Sequence, residues 1–427
     1  MISKLSPDGS NLIASTYIGG TNNDGLNPNT ALYYNYGDPF RGEINIDLAN
    51  NIYVASSTES TNFPITAGAA QPTSGGGRDG IVFKMSSNLS TLAWSTYIGG
   101  SSTDNAYCIQ LNSNGECVVG GGTLSANFPT TSGSLNPTAG GLGDGWVAKV
   151  SPNGSTITAS TFIGTNKYDQ VYFVQVDPDE NIFLLGQSLG SIPIVPNSVY
   201  SNPNSGQFIQ KLDNSLSTLL VSTTIGTGSG YVDFSPTAFL VSNCHQIFLS
   251  GWGGETNQEI GNATQSTTIG LPITADAFQS TTDGSDFYLM MLEEDVSGLI
   301  YGTFFGGAQS DEHVDGGTSR FDKNGIVYQA VCAGCGSSDD FPTTPGAWSN
   351  TNNSSNCNLG VFKFNLNLII AVPDFNVLLE NCDYPMEVEF INNSTGGNTY
   401  FWTFGDGESS TEFEGSHDYS YPGHYEI

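Results

Sequence analysis

The chain has 427 residues, of which 41 are Asp or Glu and only 10 are Lys or Arg, giving a formal net charge of −31. Such a surface would repel nucleic acid and anionic membranes, so neither is expected as a partner. Glycine is abundant, at 53 residues, and charged residues make up only 12%. This composition is typical of many short strands joined by turns, and no apolar run reaches the roughly 18 residues that would favour membrane insertion.

The first element in the chain belongs to a repeat. The stretch "STYIGG" stands at 15–20 and again at 95–100, and looser copies follow at 160–164, 222–226 and 302–307. Similar material follows each copy in the same order. Repeats of this length indicate a stacked or closed array of structural units.

One unit is clearest between residues 105 and 163. It contains four predicted strands, "AYCIQLNSNG", "ECVVGGGT", "DGWVAKVSPNG" and "TITASTFIG", which we call a to d. Short apolar runs of this kind are typical of strands buried on both faces. Four-stranded units repeated without helices indicate the blades of a β-propeller. We therefore predict an all-β fold with five complete units plus part of a sixth, because residues 1–20 supply only strands c and d. The missing strands a and b would lie upstream of residue 1.

The repeat resembles the bacterial β-propeller repeat often labelled SBBP, over residues 1–372. Its units look like a "ST-aromatic-aliphatic-GG" strand, an Asp shortly afterwards, and "FPTT". The matching positions here are Ser95–Gly100, Asp104 and Phe128–Thr131, and again Gly302–Gly307, Asp311 and Phe341–Thr344. The third unit departs from the pattern with "SIPIV" at 191–195, and the fourth lacks the Asp after "STTIG".

A second domain is predicted over 373–427. It carries the signature "W-x-FGDG" followed by "H-x-Y … PG-x-Y", in the residues Trp402, Phe404, Gly405, Asp406, Gly407, His417, Tyr419, Pro422, Gly423 and Tyr425. This resembles the PKD domain, an immunoglobulin-like β-sandwich that serves as a spacer or adhesion module. The closing "HYEI" looks like the start of a last strand, so we expect the domain to be incomplete at its C-terminus. Cys382 would then find its partner beyond residue 427, or none.

In a propeller the b–c and d–a loops emerge on one face, and here they are the long ones, so binding is expected on that face. An Asp recurs at one position of the d–a loop, as Asp24, Asp104, Asp169 and Asp311. These carboxylates would be ligands of Ca²⁺, the one cofactor that the sequence suggests. Alternatively, each accepts loop N–H groups and ties adjacent blades together.

The d–a loop between Gly25 and Gly42 is enlarged and aromatic. Its candidate partner-binding residues, with one from a later loop, are Tyr33, Tyr34, Tyr36, Phe40 and Trp252. They would form either an exposed patch for a protein or a sugar, or a small core under a long loop.

Seven cysteines favour an oxidising compartment. "CAGC" at 332–335 has the spacing of a metal or redox motif, but no second such pair accompanies it and the four histidines are scattered in the sequence. A loop disulfide is the alternative that we favour, joining Cys335 or Cys332 to Cys357.

Catalysis finds little support in the motifs, since the G-x-S-x-G, H-E-x-x-H and P-loop patterns are missing. His313, in the acidic stretch "SDEHVDGG", is either a general base or a solvated surface histidine. We therefore expect that the chain is not an enzyme.

The resemblance implies a non-enzymatic structural and adhesion protein, secreted or attached to the cell surface, like large surface proteins exported by type IX secretion. Its partner would be a protein or glycan on a cell surface, or further copies of the chain. The alternative is a secreted propeller-type glycan-binding protein or hydrolase with a PKD spacer. Convergent carboxylates at the mouth of the central channel would favour the enzyme, whereas Gly and Ser would favour the scaffold.

Overall fold

The computed structural model describes residues 1–27, 31–259, 261–316, 319–366, 375–379, 385–394, 400–423, 425 and 427. It divides into two compact units, Met1–Leu366 and Asn367–Ile427. Cys382 and residues 367–374, at the predicted boundary between the two domains, lie outside the described residues. No described helix is long and apolar enough to cross a membrane.

The first unit is all-β, and its sheets follow the repeats of the sequence. Four sheets have four antiparallel strands, each paired with the next one along the chain. The first two sheets contain β3 (Glu43–Ile46), β4 (Ile52–Thr58), β5 (Asp79–Met85), β6 (Leu92–Ile98), β7 (Asp104–Leu111), β8 (Cys117–Thr123), β9 (Asp144–Val150) and β10 (Ile157–Ile163). The third and fourth contain β11 (Asp169–Val176), β12 (Ile182–Ser188), β13 (Gln207–Leu212), β14 (Leu219–Ile225), β15 (Ser235–Val241), β16 (Ile247–Trp252), β17 (Phe287–Leu292) and β18 (Leu299–Phe305).

Sheets at the two ends of this unit differ from the other four. A hairpin of β1 (Ile2–Leu5) and β2 (Leu12–Thr16) opens the chain. The fifth sheet has its first strand broken in two, β19 (Asp311–His313) and β20 (Arg320–Phe321), and both pieces pair with β21 (Ile326–Cys335). The partner on the other side of β21 is β22 (Asn358–Asn365).

Short helical segments occur only in loops among the described residues. They are α1 (Glu255–Glu259) and two 3-10 turns, Asp38–Phe40 and Glu294–Val296. The tight c–d hairpins use the turn chemistry of the sequence. In "SPNG" the N–H of Gly154 donates to the carbonyl of Ser151 (2.8 Å), and Gly154 has a φ of +71°.

Consecutive sheets pack face to face through apolar layers. Trp146, fully buried on the second sheet, lies in one cluster with Tyr53 and Trp94 of the first. Phe183 of the third sheet shares a cluster with Leu249 of the fourth. The innermost strands β3, β7, β11 and β15 contact each other in succession. Four-stranded sheets packed in this way around shared inner strands form a β-propeller-like arrangement.

The second unit is a small β structure. β23 (Phe375–Leu379), β24 (Met386–Asn392) and β27 (Gly415–Tyr419) form one sheet, and β25 (Trp402–Thr403) pairs with β26 (Ser409–Ser410). The core of the unit contains Val388, Phe390, Trp402, Phe404 and Tyr419.

The enlarged loop before β3 crosses the inner strands of the first unit. We call residues 31–42 the plug. Its Leu32 carbonyl accepts a hydrogen bond from Gln170 (3.1 Å), and its Asn35 amide donates to Gln187 (2.9 Å). Further along, the N–H of Tyr36 donates to Asn257 (2.8 Å). The plug therefore joins the inner ends of several sheets through polar contacts.

A buried ion pair holds the plug in this conformation. Arg41 Nε donates to Asp38 Oδ1 at 2.8 Å, and both side chains are almost completely buried. The other oxygen of Asp38 accepts the N–H groups of Tyr34 and Asn35 and the hydroxyl of Tyr172, at 2.8 to 2.9 Å. The Arg41 guanidinium lies 4.2 Å from the centre of the Tyr172 ring. Two of the four hydrogen bonds to Asp38 thus come from the backbone of the plug, and Tyr172 ties the same carboxylate to an inner strand.

We predict that Arg41→Ala lowers the free energy of unfolding by roughly 3–5 kcal/mol, because it leaves the Asp38 carboxylate buried without its cation. Denaturant unfolding of the full chain measures this. The matched control is Lys167→Ala, which removes an exposed cation and should cost less than about 0.5 kcal/mol. Equal costs for the two variants would contradict the role of the pair.

Candidate functional site

The recurring aspartates tie loops to strands. Asp24 accepts the N–H of Gly20 (2.8 Å), Asp104 that of Gly100 (2.7 Å), and Asp169 that of Thr165 (2.7 Å). The second oxygen of Asp24 accepts the hydroxyl of Thr58 at 2.5 Å, and that of Asp104 accepts the hydroxyl of Thr123. Donors therefore occupy both oxygens of these two carboxylates.

In the fourth and fifth repeats, residues that the sequence analysis overlooked take this place. Asp233 accepts the N–H of Thr227 (2.8 Å), six residues before it. Glu312 accepts the N–H of Gly307 (3.3 Å), five residues before it, whereas the spacing in the second repeat is four. Asp311 does not occupy the equivalent position, because the extra residue in this loop moves the role to Glu312. A search with variable spacing would have found both.

A second carboxyl from the neighbouring strand accompanies several of these groups. Asp79 acts electrostatically on Asp104, Asp144 on Asp169, and Asp286 on Glu312. A side chain at Gly99 would collide with both Asp79 and Asp104, and one at Gly306 with both Asp286 and Glu312. The paired carboxyls thus explain the first glycine of the repeated "GG".

Burial raises the pKa of these paired carboxyls. It raises that of Asp104 to about 6, that of Asp286 to about 7 and that of Glu312 to about 8. The charge of Asp79 adds to the shift of Asp104, and that of Asp286 adds to the shift of Glu312. Ca²⁺ stays a prediction for this ring. The hydrogen bonds to Asp24, Asp104 and Asp169 favour the alternative, in which the carboxylates tie loops to strands.

The aromatic residues of the plug are packed inward to different extents. Tyr34 stacks on Tyr168, with ring centroids 4.9 Å apart. Tyr33 is half-buried, and Phe40 is half-exposed beside Gly316. Trp252 is only 1% exposed, so its ring forms a wall and is not an open binding surface.

Tyr36, Trp252 and His313 bring together three parts of the sequence. The centroid of the His313 ring lies 5.4 Å from that of Tyr36 and 5.7 Å from that of Trp252. Asp315 accepts hydrogen bonds from the Tyr36 hydroxyl (3.0 Å) and from the Cys332 thiol (3.1 Å), and His313 Nε2 lies 3.3 Å from its carboxylate. We call Tyr36, Glu255, Asp311, His313 and Asp315 the mouth cluster.

His313 is poorly placed to act as a general base on a substrate. It is 7% exposed, and Nε2 faces Asp315 while Nδ1 lies 3.4 Å from Thr256 Oγ1. Burial lowers the pKa of His313, and the charge of Asp315 opposes part of this shift.

Two carboxyl groups of the mouth cluster have pKa values shifted in opposite directions. The charge of Asp311 and a hydrogen bond to it raise the pKa of the exposed Glu255. Partial burial raises the pKa of Asp315. Hydrogen bonds from Cys332 and Tyr36 and the nearby His313 lower it by more than burial raises it, so the net shift is downward. Two carboxyl groups whose pKa values are shifted apart in this way are suited to act as an acid and a base at one pH.

A cleft of about 490 Å³ has a volume within the range of small-ligand pockets. Val314 and Gly316, which flank Asp315 in the sequence, line it together with Arg320 and Tyr328, whereas Asp315 itself does not. Asp315, Glu255 and Tyr328 were not among the predicted site residues. The density of acids around His313 was the available signal, but Glu255 and Tyr328 are distant in the sequence.

The cysteines of the predicted loop site also lie here. A disulfide joins Cys335 to Cys357, and Cys332 keeps a thiol that donates to Asp315. Burial and the Asp315 charge raise the pKa of Cys332 to about 12.

No family model matches the chain, and no curated protein matches it. Several solved structures match the chain. One is an ulvan lyase, a polysaccharide lyase bound to its saccharide. It is 13% identical with a TM-score of 0.40, and the match covers 94% of this chain and 84% of the lyase chain. The exo-β-1,3-galactanase of Phanerochaete chrysosporium is 11% identical with a TM-score of 0.35, covering 95% and 90%. The NanB sialidase of Streptococcus pneumoniae is 7% identical with a TM-score of 0.37, covering 89% and 68%.

The expectation that the chain is not an enzyme runs against these findings, since the three structures are a polysaccharide lyase, a galactanase and a sialidase. Likenesses of this extent assign none of those activities to this chain. The sequence motifs that were sought are local, whereas the mouth cluster is assembled from residues distant in the sequence.

We predict that the free energy of unfolding falls between about pH 5 and 8. The folded-state pKa values of Asp104, Asp286 and Glu312 lie above those of the unfolded chain. The stabilisation that these three carboxyl groups contribute is therefore complete below the pKa of the unfolded chain, near 4. It is lost as the pH rises through the folded-state pKa values of about 6 to 8. Thermal melts across this range measure it, and a parallel series with Ca²⁺ or EDTA tests the calcium prediction.

The variant Asp286→Asn isolates the paired carboxyls from the general repulsion of a chain with net charge −31. It should flatten the alkaline part of the profile, whereas the exposed control Asp276→Asn should reproduce the parent profile. A parent melting temperature that rises from pH 5 to 8 would contradict the assignment.

Proposed function

We propose that the chain is a carbohydrate-active propeller protein that binds and hydrolyses a neutral polysaccharide at the mouth cluster. The observation that carries the proposal is that Glu255 interacts with Asp311, while Asp311 and Asp315 both act on His313, whose Nε2 lies 3.3 Å from the Asp315 carboxylate. Glycoside hydrolysis requires one protonated and one ionised carboxyl group on either side of the scissile bond.

The roles follow from the surroundings of each carboxyl. Glu255 shares a hydrogen bond with Asp311 and has a raised pKa, so it is the general acid that protonates the leaving oxygen. Asp315 has a lowered pKa and stays ionised, so it stabilises the developing positive charge or activates water. Tyr36 holds Asp315 through its hydroxyl (3.0 Å), because a phenol whose pKa burial raises to about 12 is a hydrogen-bond donor at neutral pH.

Tyr328 and the cleft supply the binding surface. Tyr328 is 46% exposed and lines the cleft together with Val314 and Gly316, so its ring can pack against a sugar face. The net charge of −31 would repel a polyanion such as a polyuronate, which favours an uncharged polysaccharide.

The finer assignments of fold and location are part of the same proposal. We infer that the first unit is an SBBP-type propeller and that the second is a PKD-like spacer, supported by the packing of Trp402, Phe404 and Tyr419 in one core. The Cys335–Cys357 disulfide supports a secreted protein, since disulfides persist in oxidising compartments.

We predict release of reducing ends when the full chain is incubated with a panel of neutral polysaccharides. Glu255→Gln and Asp315→Asn should each lower the rate by about 10²- to 10⁴-fold while leaving retention of the polymer intact, because each removes a proton-transfer or charge-stabilising group. The assay measures reducing ends and, in parallel, the ultraviolet absorbance of an unsaturated lyase product.

Asp179→Asn is the matched control, because it neutralises an exposed carboxylate on an a–b turn and should keep the full rate. Turnover that is unchanged in both mouth variants would contradict the site. Binding of a polymer without any release of reducing ends would contradict hydrolysis, and an unsaturated product from a polyuronate would contradict the substrate class.

A further inference from the structure

Three cysteines lie close to His313 of the mouth cluster, two of them on β21 and one just before β22. β19 and β21 are antiparallel, with His313 opposite Cys332 and Asp311 opposite Cys335. β22 pairs on the other side of β21, with Asn358 opposite Ala333, so Cys357 arrives beside the end of β21. Strand pairing therefore collects four residues that the sequence separates.

Gly334 bends the chain between the two cysteines of "CAGC". It has a φ of +66°, and a side chain there would lie 2.6 Å from the Ser338 carbonyl oxygen. Only glycine adopts this left-handed conformation at such close approach without strain. The bend places Cys335 near both Cys357 and His313.

The ligand atoms are already at distances close to those of a metal site. One ring nitrogen of His313, Cys332 Sγ and Cys357 Sγ all lie within 4.8 Å of one another. Cys335 Sγ lies 3.8 Å from His313 Nδ1. In a tetrahedral zinc site, bonds of about 2.3 Å to sulfur and about 2.0 Å to nitrogen separate ligand atoms by roughly 3.5 to 3.8 Å.

Asp315 gives His313 the orientation that a metal ligand needs. Its carboxylate lies 3.3 Å from Nε2, and a proton on that nitrogen leaves the lone pair on Nδ1, where Thr256 Oγ1 lies at 3.4 Å and Cys335 Sγ at 3.8 Å. A carboxylate on the far nitrogen is the usual support of a zinc-binding histidine. Trp252 and Tyr36 pack against the same ring and fix its plane.

We propose that the reduced chain binds one Zn²⁺ through Cys332, Cys335, Cys357 and His313 Nδ1, and that the disulfide form is its oxidised, metal-free counterpart. In the disulfide form Cys335 and Cys357 are bonded to each other and cannot serve as thiolate ligands. The inference does not depend on the proposed function, because hydrolysis at the mouth cluster assigns no step to His313 or to the cysteines.

The oxidised form becomes the metal-bound form in two steps, reduction of the disulfide and then binding of the ion. A dithiol reductant delivers two electrons and two protons to the Cys335–Cys357 bond and itself closes to a cyclic disulfide. The three thiols then release three protons as three Zn–S bonds form, and His313 contributes a lone pair. In the newly made chain the cysteines start as thiols, so the ion can bind without any reductant.

The test uses the full chain in two forms, oxidised and reduced, with Co²⁺ as a spectroscopic probe for the zinc site. We expect the reduced chain to bind one equivalent with the strong ultraviolet absorption of thiolate-to-cobalt charge transfer, and Zn²⁺ to displace it. The oxidised chain should show no such absorption. Co²⁺ held only by the many carboxylates would lack the charge-transfer signal, and that outcome would overturn the proposal.

Variants locate the site. Cys332→Ser leaves the disulfide partners intact but should lose the tight equivalent and most of the charge-transfer signal, whereas Cys244→Ser, an exposed cysteine elsewhere, should behave as the parent. Asp315→Asn should keep one equivalent but weaken its affinity by about 10- to 100-fold. An undiminished signal in reduced Cys332→Ser, with its fold checked by circular dichroism, would place the metal elsewhere and contradict the assignment.

Discussion

The buried pair of Asp38 and Arg41 is the interaction on which the conformation of the plug depends. A buried charge is costly unless its partner and hydrogen-bond donors are all in place. Here the donors are backbone groups of the plug and the hydroxyl of Tyr172 on an inner strand. Satisfying one carboxylate therefore fixes a long polar loop across the inner ends of the sheets.

The mouth cluster exists because the plug is fixed. Tyr36 belongs to the plug, and its hydroxyl donates a hydrogen bond to Asp315, which follows the first strand of the fifth sheet. The same ring packs against His313, which in turn faces the cysteines of β21. The fixed plug thus places Tyr36 against Asp315 and His313, whereas strand pairing within the fifth sheet brings the cysteines beside His313.

The sequence predicts the repeated architecture because a blade is a local object. Short apolar strands, "SPNG" turns and the recurring "GG" are all encoded within a few residues, and four four-stranded sheets appear where the pattern predicts them. The role of Glu312 was missed because one extra residue shifts the spacing. The mouth cluster was missed for a different reason. The hydrogen bond between Tyr36 and Asp315 spans 279 residues, and no local pattern records it.

Amide hydrogen exchange of the plug tests the central claim most directly. The N–H groups of Tyr34 and Asn35 donate to Asp38, and that of Tyr36 donates to Asn257, so a fixed plug requires these amides to exchange as slowly as those of the inner strands. We expect strong protection of all three, and its loss in Arg41→Ala. Exchange at the rate of an exposed loop in the parent chain would contradict the account, because the mouth cluster would then have no fixed geometry.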